Sequence, residues 1–359
     1  MTFIDARSKV LRHIDRIAAW DRGETPAPVT VEWDLSNRCV LGCHDCHFAH
    51  THVKGPWATK PRLLPMAFDG TGDLADIDLV TRGLFELKRA GVQSVIWSGG
   101  GEPTTHPGWR DALMAAEAAG LQQGMYTLGG LLSAEDGLFA ASLLEWVVVS
   151  LDCADAESYS REKGVPASRF EAACDGVRAL VGHKAVVGVS FLLHAGNWNK
   201  CVQMADLARS LGATYTTFRP AIRTDADYPS VCDDDRSWVE RALDPRFPTV
   251  LQLVASRPDV EIDLDRFRAY AEWTDHGYRD CHGIQLNTTI SPDGRVWICP
   301  QRRGVTALGD LRVESFASIW ARHPRTFTVD QGCRVMCRLH PVNETLASLR
   351  APRAHEAFV

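Results

Sequence analysis

The sequence predicts an α/β fold: a parallel sheet covered by helices. Near-continuous apolar and β-branched runs at 93–97, 123–127, 146–151, 185–193 and 215–219 are the first sign. Amphipathic stretches of helical period separate them, at 77–90, 109–119, 134–144, 170–181 and 201–211. With a first strand over 29–35 the chain makes six βα-type units. In such folds the ends of the strands carry function, because the loops converge there. The clusters of Cys, Gly and Glu follow strands in this way.

In chain order, Val10, Ile14, Ile17 and Ala18 at helical spacing predict an N-terminal helix over 8–20, and a Pro/Gly stretch at 22–28 delivers the chain to the first strand. The stretch 47–73 holds Pro56, Pro61, Pro65, Gly55, Gly70 and Gly72, and is too long for an ordinary connection. It reads as a lid or substrate-contacting loop, with a solvated insertion as the alternative. Residues 224–280 break the alternation. Asp225, Asp227, Asp233, Asp234 and Asp235 read there as a solvated surface, and short helices are expected at 237–243 and 266–273.

The 359 residues are enough for one large core, or one large and one small. With 45% apolar and 23% charged residues the composition is that of a globular protein, and a net charge of −6 argues against a general nucleic-acid surface. The first residues lack an apolar signal core, and no apolar run of membrane-spanning length occurs. Eleven cysteines then read as metal ligands and free thiols in a reducing compartment, the cytoplasm.

Cys39, Cys43 and Cys46 follow the first strand with gaps of three and two residues. Three thiolates can hold three irons of a cubane cluster and leave the fourth open. A structural zinc knuckle, the alternative, wants four closed ligands. After the second strand comes Ser98-Gly99-Gly100-Gly101-Glu102-Pro103, where glycines let backbone approach a ligand and Glu102 can pair with a cationic amine. Its spacing is not that of a dinucleotide fingerprint. Near the C-terminus stand Cys281, Cys299, Cys333 and Cys337; the segment 290–298 between the first two reads as a hairpin turning at Pro292-Asp293-Gly294. By spacing, four thiolates suit a closed zinc site or a fully ligated iron–sulfur cluster equally.

Together these motifs resemble the radical S-adenosylmethionine (radical SAM) superfamily: Cys39-x3-Cys43-x2-Cys46 matches its cluster motif and Gly99-Gly100-Gly101-Glu102-Pro103 its amine-binding motif. Cys281-x12-Gly294-x4-Cys299, followed by Leu308-Gly309-Asp310 and Ile319-Trp320, is similar to the SPASM/Twitch extension of that family in its shorter form. The resemblance implies a partial (β/α)6 TIM-like barrel with a small C-terminal hairpin/helix domain. Its expected layout is a helix and linker over 1–28, barrel over 29–223, linker helices over 224–280, auxiliary domain over 281–345 and tail over 346–359. It also implies a SAM-binding 4Fe–4S cluster, S-adenosyl-L-methionine, a second, auxiliary 4Fe–4S cluster, and an electron donor such as flavodoxin or ferredoxin. Ser150, Asp152, Asn197 and Arg219 stand where relatives carry polar residues near the cofactor, and Thr127-Leu128-Gly129-Gly130 stands where many have Thr-Asn-Gly. Asp45 replaces the usual aromatic before the third cysteine, with His47 or Phe48 as substitutes; His44, His50 and His52 crowd the same loop.

The activity so implied is reductive cleavage of SAM and hydrogen abstraction by the resulting 5′-deoxyadenosyl radical. A polar small molecule such as a sugar or aminocyclitol is the first expectation for the substrate, undergoing oxidation, epimerisation or rearrangement. A ribosomal peptide is the alternative, placed second because only about 28 residues precede the first strand, too few for a peptide-recognition module. A nucleoside or nucleic-acid base comes third, and a metal-binding scaffold without catalysis is the non-enzymatic reading. Cys153, beside Asp152, is a candidate hydrogen donor against the plainer reading of a buried packing residue, as Cys174 and Cys201 are; Cys232 is a weaker candidate.

Overall fold

The computed structural model describes residues 5–43, 46, 74–221, 239–240, 243, 250–272, 276–330, 333 and 337–350. The loop 47–73, with its histidines and Phe48, the acidic stretch with Cys232, and most of the expected helix at 237–243 lie outside them.

Two short helices, α1 (Ala6–Val10) and α2 (Ile14–Asp21), joined by a 3-10 turn, precede strand β1 (Thr30–Asp34). The alternation then runs α3 (Ile77–Ala90), β2 (Ser94–Ser98), α4 (Trp109–Ala118), β3 (Gln122–Thr127), α5 (Ala134–Leu143), β4 (Trp146–Ser150), α6 (Ala156–Lys163), α7 (Ser168–Leu180), β5 (Val186–Leu193), α8 (Cys201–Ser210) and β6 (Tyr215–Pro220). These strands pair in sequence order, all parallel. Local chemistry sets the helix limits. Asp76 caps α3 by accepting from the backbone N–H groups of Asp78 and Leu79, and Gly91 ends it at a φ of +102°.

Helix α6 has no counterpart in the sequence reading, because Ala156-Glu157-Ser158-Tyr159-Ser160-Arg161-Glu162-Lys163 is too polar to show an apolar stripe. Its boundaries are chemical. The Asp155 carboxylate accepts from Ser158 N at 2.7 Å, and Gly164 closes it at a φ of +63°.

Beyond β6 come α9 (Val250–Ala255), a seventh parallel strand β7 (Val260–Ile262) beside β6, and α10 (Leu264–Glu272). The C-terminal part supplies β8 (Asp280–Cys281), β9 (Asn287–Ile290), β10 (Arg295–Trp297), β11 (Ala307–Asp310), α11 (Phe316–Ala321), β12 (Phe327–Thr328) and α12 (His340–Arg350). The expected hairpin is β9–β10, with Gly294 at a φ of +83° in the turn. It does not form a sheet of its own. β9 pairs in parallel with β1, Thr30 opposite Asn287 and Trp33 opposite Ile290, so one sheet of ten strands runs in the order β11-β10-β9-β1-β2-β3-β4-β5-β6-β7. A partial barrel leaves the outer edge of β1 with unpaired N–H and C=O groups, and β9 covers that edge.

One apolar core unites these layers. Trp33, Val95, Trp97, Val147, Val149, Val189 and Phe191 of the strands pack with Leu84, Leu113, Val177 and Ala205 of the helices, and Phe316 and Ile319 of α11 join them. No helix among the described residues is long and apolar enough to cross a membrane.

Candidate functional site

Cys39, Cys43 and Cys46 line a cavity of about 280 Å³ at the carboxyl ends of the strands, together with the glycine-rich turn, Glu102, Ser150, Asp152 and Asn197. The turn is stitched to the residues just before the cysteines. Gly101 N donates to Ser36 O at 3.0 Å, and Glu102 N donates to Arg38 O at 2.7 Å. A Cβ at position 101 would lie 2.1 Å from Arg38 O, and one at 99 would lie 2.2 Å from Gly101 O. Glycine is therefore required at both positions by close approach of backbone.

Glu102 is buried and oriented. Its Oε1 accepts from Thr104 N, Thr104 Oγ1 and Thr127 Oγ1, and its Oε2 from Leu128 N at 2.7 Å. One lone pair of Oε2 stays open to a donor in the cavity. Burial raises the Glu102 pKa against these hydrogen bonds.

Asp152 holds a left-handed backbone at a φ of +62°, rare for a residue with a side chain. Its carboxylate accepts from Leu192 N at 2.8 Å and pairs with the buried ammonium of Lys163. Burial lowers the Lys163 pKa, but Asp152 and Cys43 outweigh it and hold the residue well above its ordinary value. The Lys163 carbonyl also accepts from Gly42 N at 2.8 Å, so the last residue of α6 grips the cysteine loop by backbone and by charge. Asn197 braces its own turn, accepting from His194 N and donating to Leu192 O. Lys163, Glu162, His194 and Tyr126 also line the cavity and are absent from the sequence reading. The only sequence signal for Lys163 is the capping aspartate of a helix too polar to stand out.

Two predicted residues fall elsewhere. Cys153 is 1% exposed, belongs to the main core and lines neither of the two cavities described here. Burial pushes its thiol up to about 12. Arg219 faces a larger neighbouring cavity of about 920 Å³, inside the barrel. There its guanidinium lies over the Tyr126 ring, 5.8 Å from the centroid. Burial raises the Tyr126 pKa, but Arg219 and Arg338 outweigh it and hold it below its ordinary value. Tyr126 lines both cavities, and Cys337 and Arg338 line the larger one.

The second set of cysteines gathers around α12. Cys299, Cys333 and Cys337 each sense Cys281 electrostatically. Cys281 and Cys337 pack beside Cys299, Ile284, Ile298 and Leu339. Asn343 holds them in place: its Nδ2 donates to Cys281 Sγ at 3.2 Å, and its Oδ1 accepts from His282 N and Gly283 N. Nothing in the sequence singles out Asn343.

Both sets offer the sulfur donors that soft metals take. Burial pushes Cys39 up to about 12, and Cys43 and Cys337 up to about 11, and a bound cation would favour their thiolates. No group of three or more His, Cys, Asp or Glu side chains among the described residues forms a site for a single metal ion.

Comparison with known proteins agrees. Residues 33–208 match the family model described as the radical SAM superfamily, and residues 281–338 match SPASM, an iron–sulfur cluster-binding domain. The chain is 25% identical to the AdoMet-dependent heme synthase of Methanosarcina barkeri (strain Fusaro / DSM 804) over 82% of this chain and 83% of the relative. It is 26% identical to the PqqA peptide cyclase of Streptomyces rochei over 79% of this chain and 72% of the relative. Among solved structures, Streptococcus suis SuiB bound to precursor peptide SuiA superposes with a TM-score of 0.60 at 16% identity, covering 90% of this chain and 72% of SuiB. Native anSMEcpe with bound AdoMet gives a TM-score of 0.57 at 14% identity, covering 82% of this chain and 80% of the other. These two likenesses establish the fold.

Proposed function

Because the chain belongs to the radical SAM superfamily and carries a SPASM-type auxiliary domain, we propose that this enzyme modifies a peptide by radical abstraction of hydrogen from one of its side chains. The observation that carries this reading is the resemblance to PqqA peptide cyclase across both halves of the chain. It displaces the sugar or aminocyclitol expected from sequence. A cavity of about 920 Å³ beside the smaller pocket leaves room for a large substrate. A second reading, action on a haem precursor, rests on the Methanosarcina relative.

In this reading Cys39, Cys43 and Cys46 hold the cluster that binds SAM, and Cys281, Cys299, Cys333 and Cys337 hold an auxiliary 4Fe–4S cluster. When bound and reduced, the first cluster and SAM together supply a carbon radical able to take hydrogen from an unactivated position. The chain's own residues do the positioning. Glu102 Oε2 offers its open lone pair to the SAM amine, and the peptide groups of Gly99, Gly100 and Gly101 allow close approach. Ser150, Asp152 and Asn197 add polar groups to the same pocket, with Lys163 neutralising Asp152. Tyr126 stands between this pocket and the barrel interior, where the substrate is held.

The test is anaerobic incubation of the reconstituted, chemically reduced protein with SAM and the short peptides encoded beside its gene, followed by mass spectrometry. A peptide that loses hydrogen mass as 5′-deoxyadenosine accumulates supports the reading. Release of 5′-deoxyadenosine with every peptide unchanged would sink it, and a changed haem precursor in the same assay would establish the second reading.

A further inference from the structure

Three arginines from separate segments converge on the large cavity. Arg219 from β6, Arg266 from α10 and Arg338 from the segment after Cys337 all line the large cavity. They lie close enough for Arg219 and Arg338 to disfavour, together with burial, the charge on Arg266. Arg338 donates to Oε1 of Glu32, a wholly buried carboxylate, at 2.5 Å. Arg219 faces the Tyr126 ring, its guanidinium 5.8 Å from the centroid. Arg266 Nε is buried without a hydrogen-bond partner among the described residues. Asp263, which favours the charge on Arg266, accepts from that residue's own backbone N–H.

The charges at the mouth of the same cavity are balanced. Arg7 pairs with Glu344 at 2.8 Å, and Arg268 with Asp265 at 2.7 Å. Guanidiniums converging on one cavity favour an anionic ligand there. Planar guanidinium forks match a carboxylate bidentately.

Resting on the peptide reading above, we propose that Arg219, Arg266 and Arg338 anchor an acidic side chain of the substrate inside the barrel. The anchored residue would lie between the SAM pocket, across Tyr126, and the auxiliary cysteines, across Cys337. An aspartate or glutamate next to the modified position would then fix which hydrogen faces the SAM pocket.

Glutarate is the probe, titrated by calorimetry into the reconstituted protein in the presence of SAM, with glutaramide and inorganic phosphate as comparisons. Saturable glutarate binding, absent for glutaramide and weakened about tenfold or more in Arg266→Gln and Arg219→Gln, supports the anchor, since each charged hydrogen bond is worth roughly 1.5–3 kcal/mol. Arg178→Gln, on the outer surface, serves as control, and unchanged iron content and circular dichroism show that the variants fold. Equal glutarate affinity in wild type and both variants overturns the anchor, as does binding of phosphate in preference to glutarate. With a turned-over peptide, replacing its acidic residue by the amide should raise KM about tenfold with kcat little changed. An unaltered KM removes the anchor and leaves the peptide reading standing. Arginine-dependent glutarate binding with no peptide modified leaves the anchor and removes that reading.

Discussion

Arg338 reaches across the molecule to Glu32, its guanidinium 2.5 Å from a carboxylate 306 positions earlier in the chain. Arg338 adjoins Cys337 of the second cysteine set, and Glu32 lies in the middle of β1, so this ion pair ties the C-terminal cysteines to the barrel. Replacing Arg338 by Met strands a fully buried carboxylate. A loss of roughly 3 kcal/mol in urea unfolding is expected. The double variant Glu32→Gln/Arg338→Met should recover most of it, giving a coupling energy of at least about 1 kcal/mol.

Gly101→Ala places a methyl group 2.1 Å from Arg38 O, against backbone that cannot yield without moving the first cysteine. The second set is remote from this contact. Iron per chain should fall from about eight to about four on reconstitution, with SAM binding weakened at least about tenfold. Retention of all the iron and of SAM affinity would show that the turn does not support the first site.

Asn343 donates to Cys281 Sγ and holds the backbone after it. Removing a group that orients a metal ligand commonly costs about 10–100-fold in affinity. Asn343→Ala should therefore lose iron to a chelator about tenfold faster from the second site alone, followed by electron paramagnetic resonance of the two clusters.

Cys153→Ala should retain turnover within about twofold, because the thiol is packed in the core and faces neither cavity. The lost sulfur leaves a small void, and a stability cost of about 1 kcal/mol is expected in thermal melting. Abolished turnover with normal stability would restore it as a hydrogen donor.

His323 is buried, stacked 4.0 Å from Trp320, with Nδ1 3.0 Å from Gln285 Nε2. Desolvation drives its pKa from 6.5 down to about 4. Between those values the unfolded chain binds the proton and the folded chain does not, so this residue makes stability rise with pH across that window. From pH 6.5 to pH 4 its contribution should fall by on the order of 3 kcal/mol. His323→Phe should remove that slope. The difference between the two proteins isolates the histidine, because other titrations, Asp34 included, are common to both.

Apart from the polar helix α6, composition and periodicity determined the alternating strands and helices up to β6, since a buried parallel sheet demands continuous apolar runs and its cover demands amphipathic helices. They also located the glycine-rich turn and all seven cysteines of the two sets, because thiols at short spacing and glycines at a strand end carry their chemistry locally. Three things depended on the tertiary structure. The hairpin joined β1, because an open strand edge takes whatever strand can pair with it, and spacing says nothing about which. Lys163 and Asn343 entered the sites from helices whose sequences look ordinary, because a charge or amide matters only by what it faces. The cluster of Arg219, Arg266 and Arg338 forms from three distant segments, and exists only once folding has brought them to one cavity.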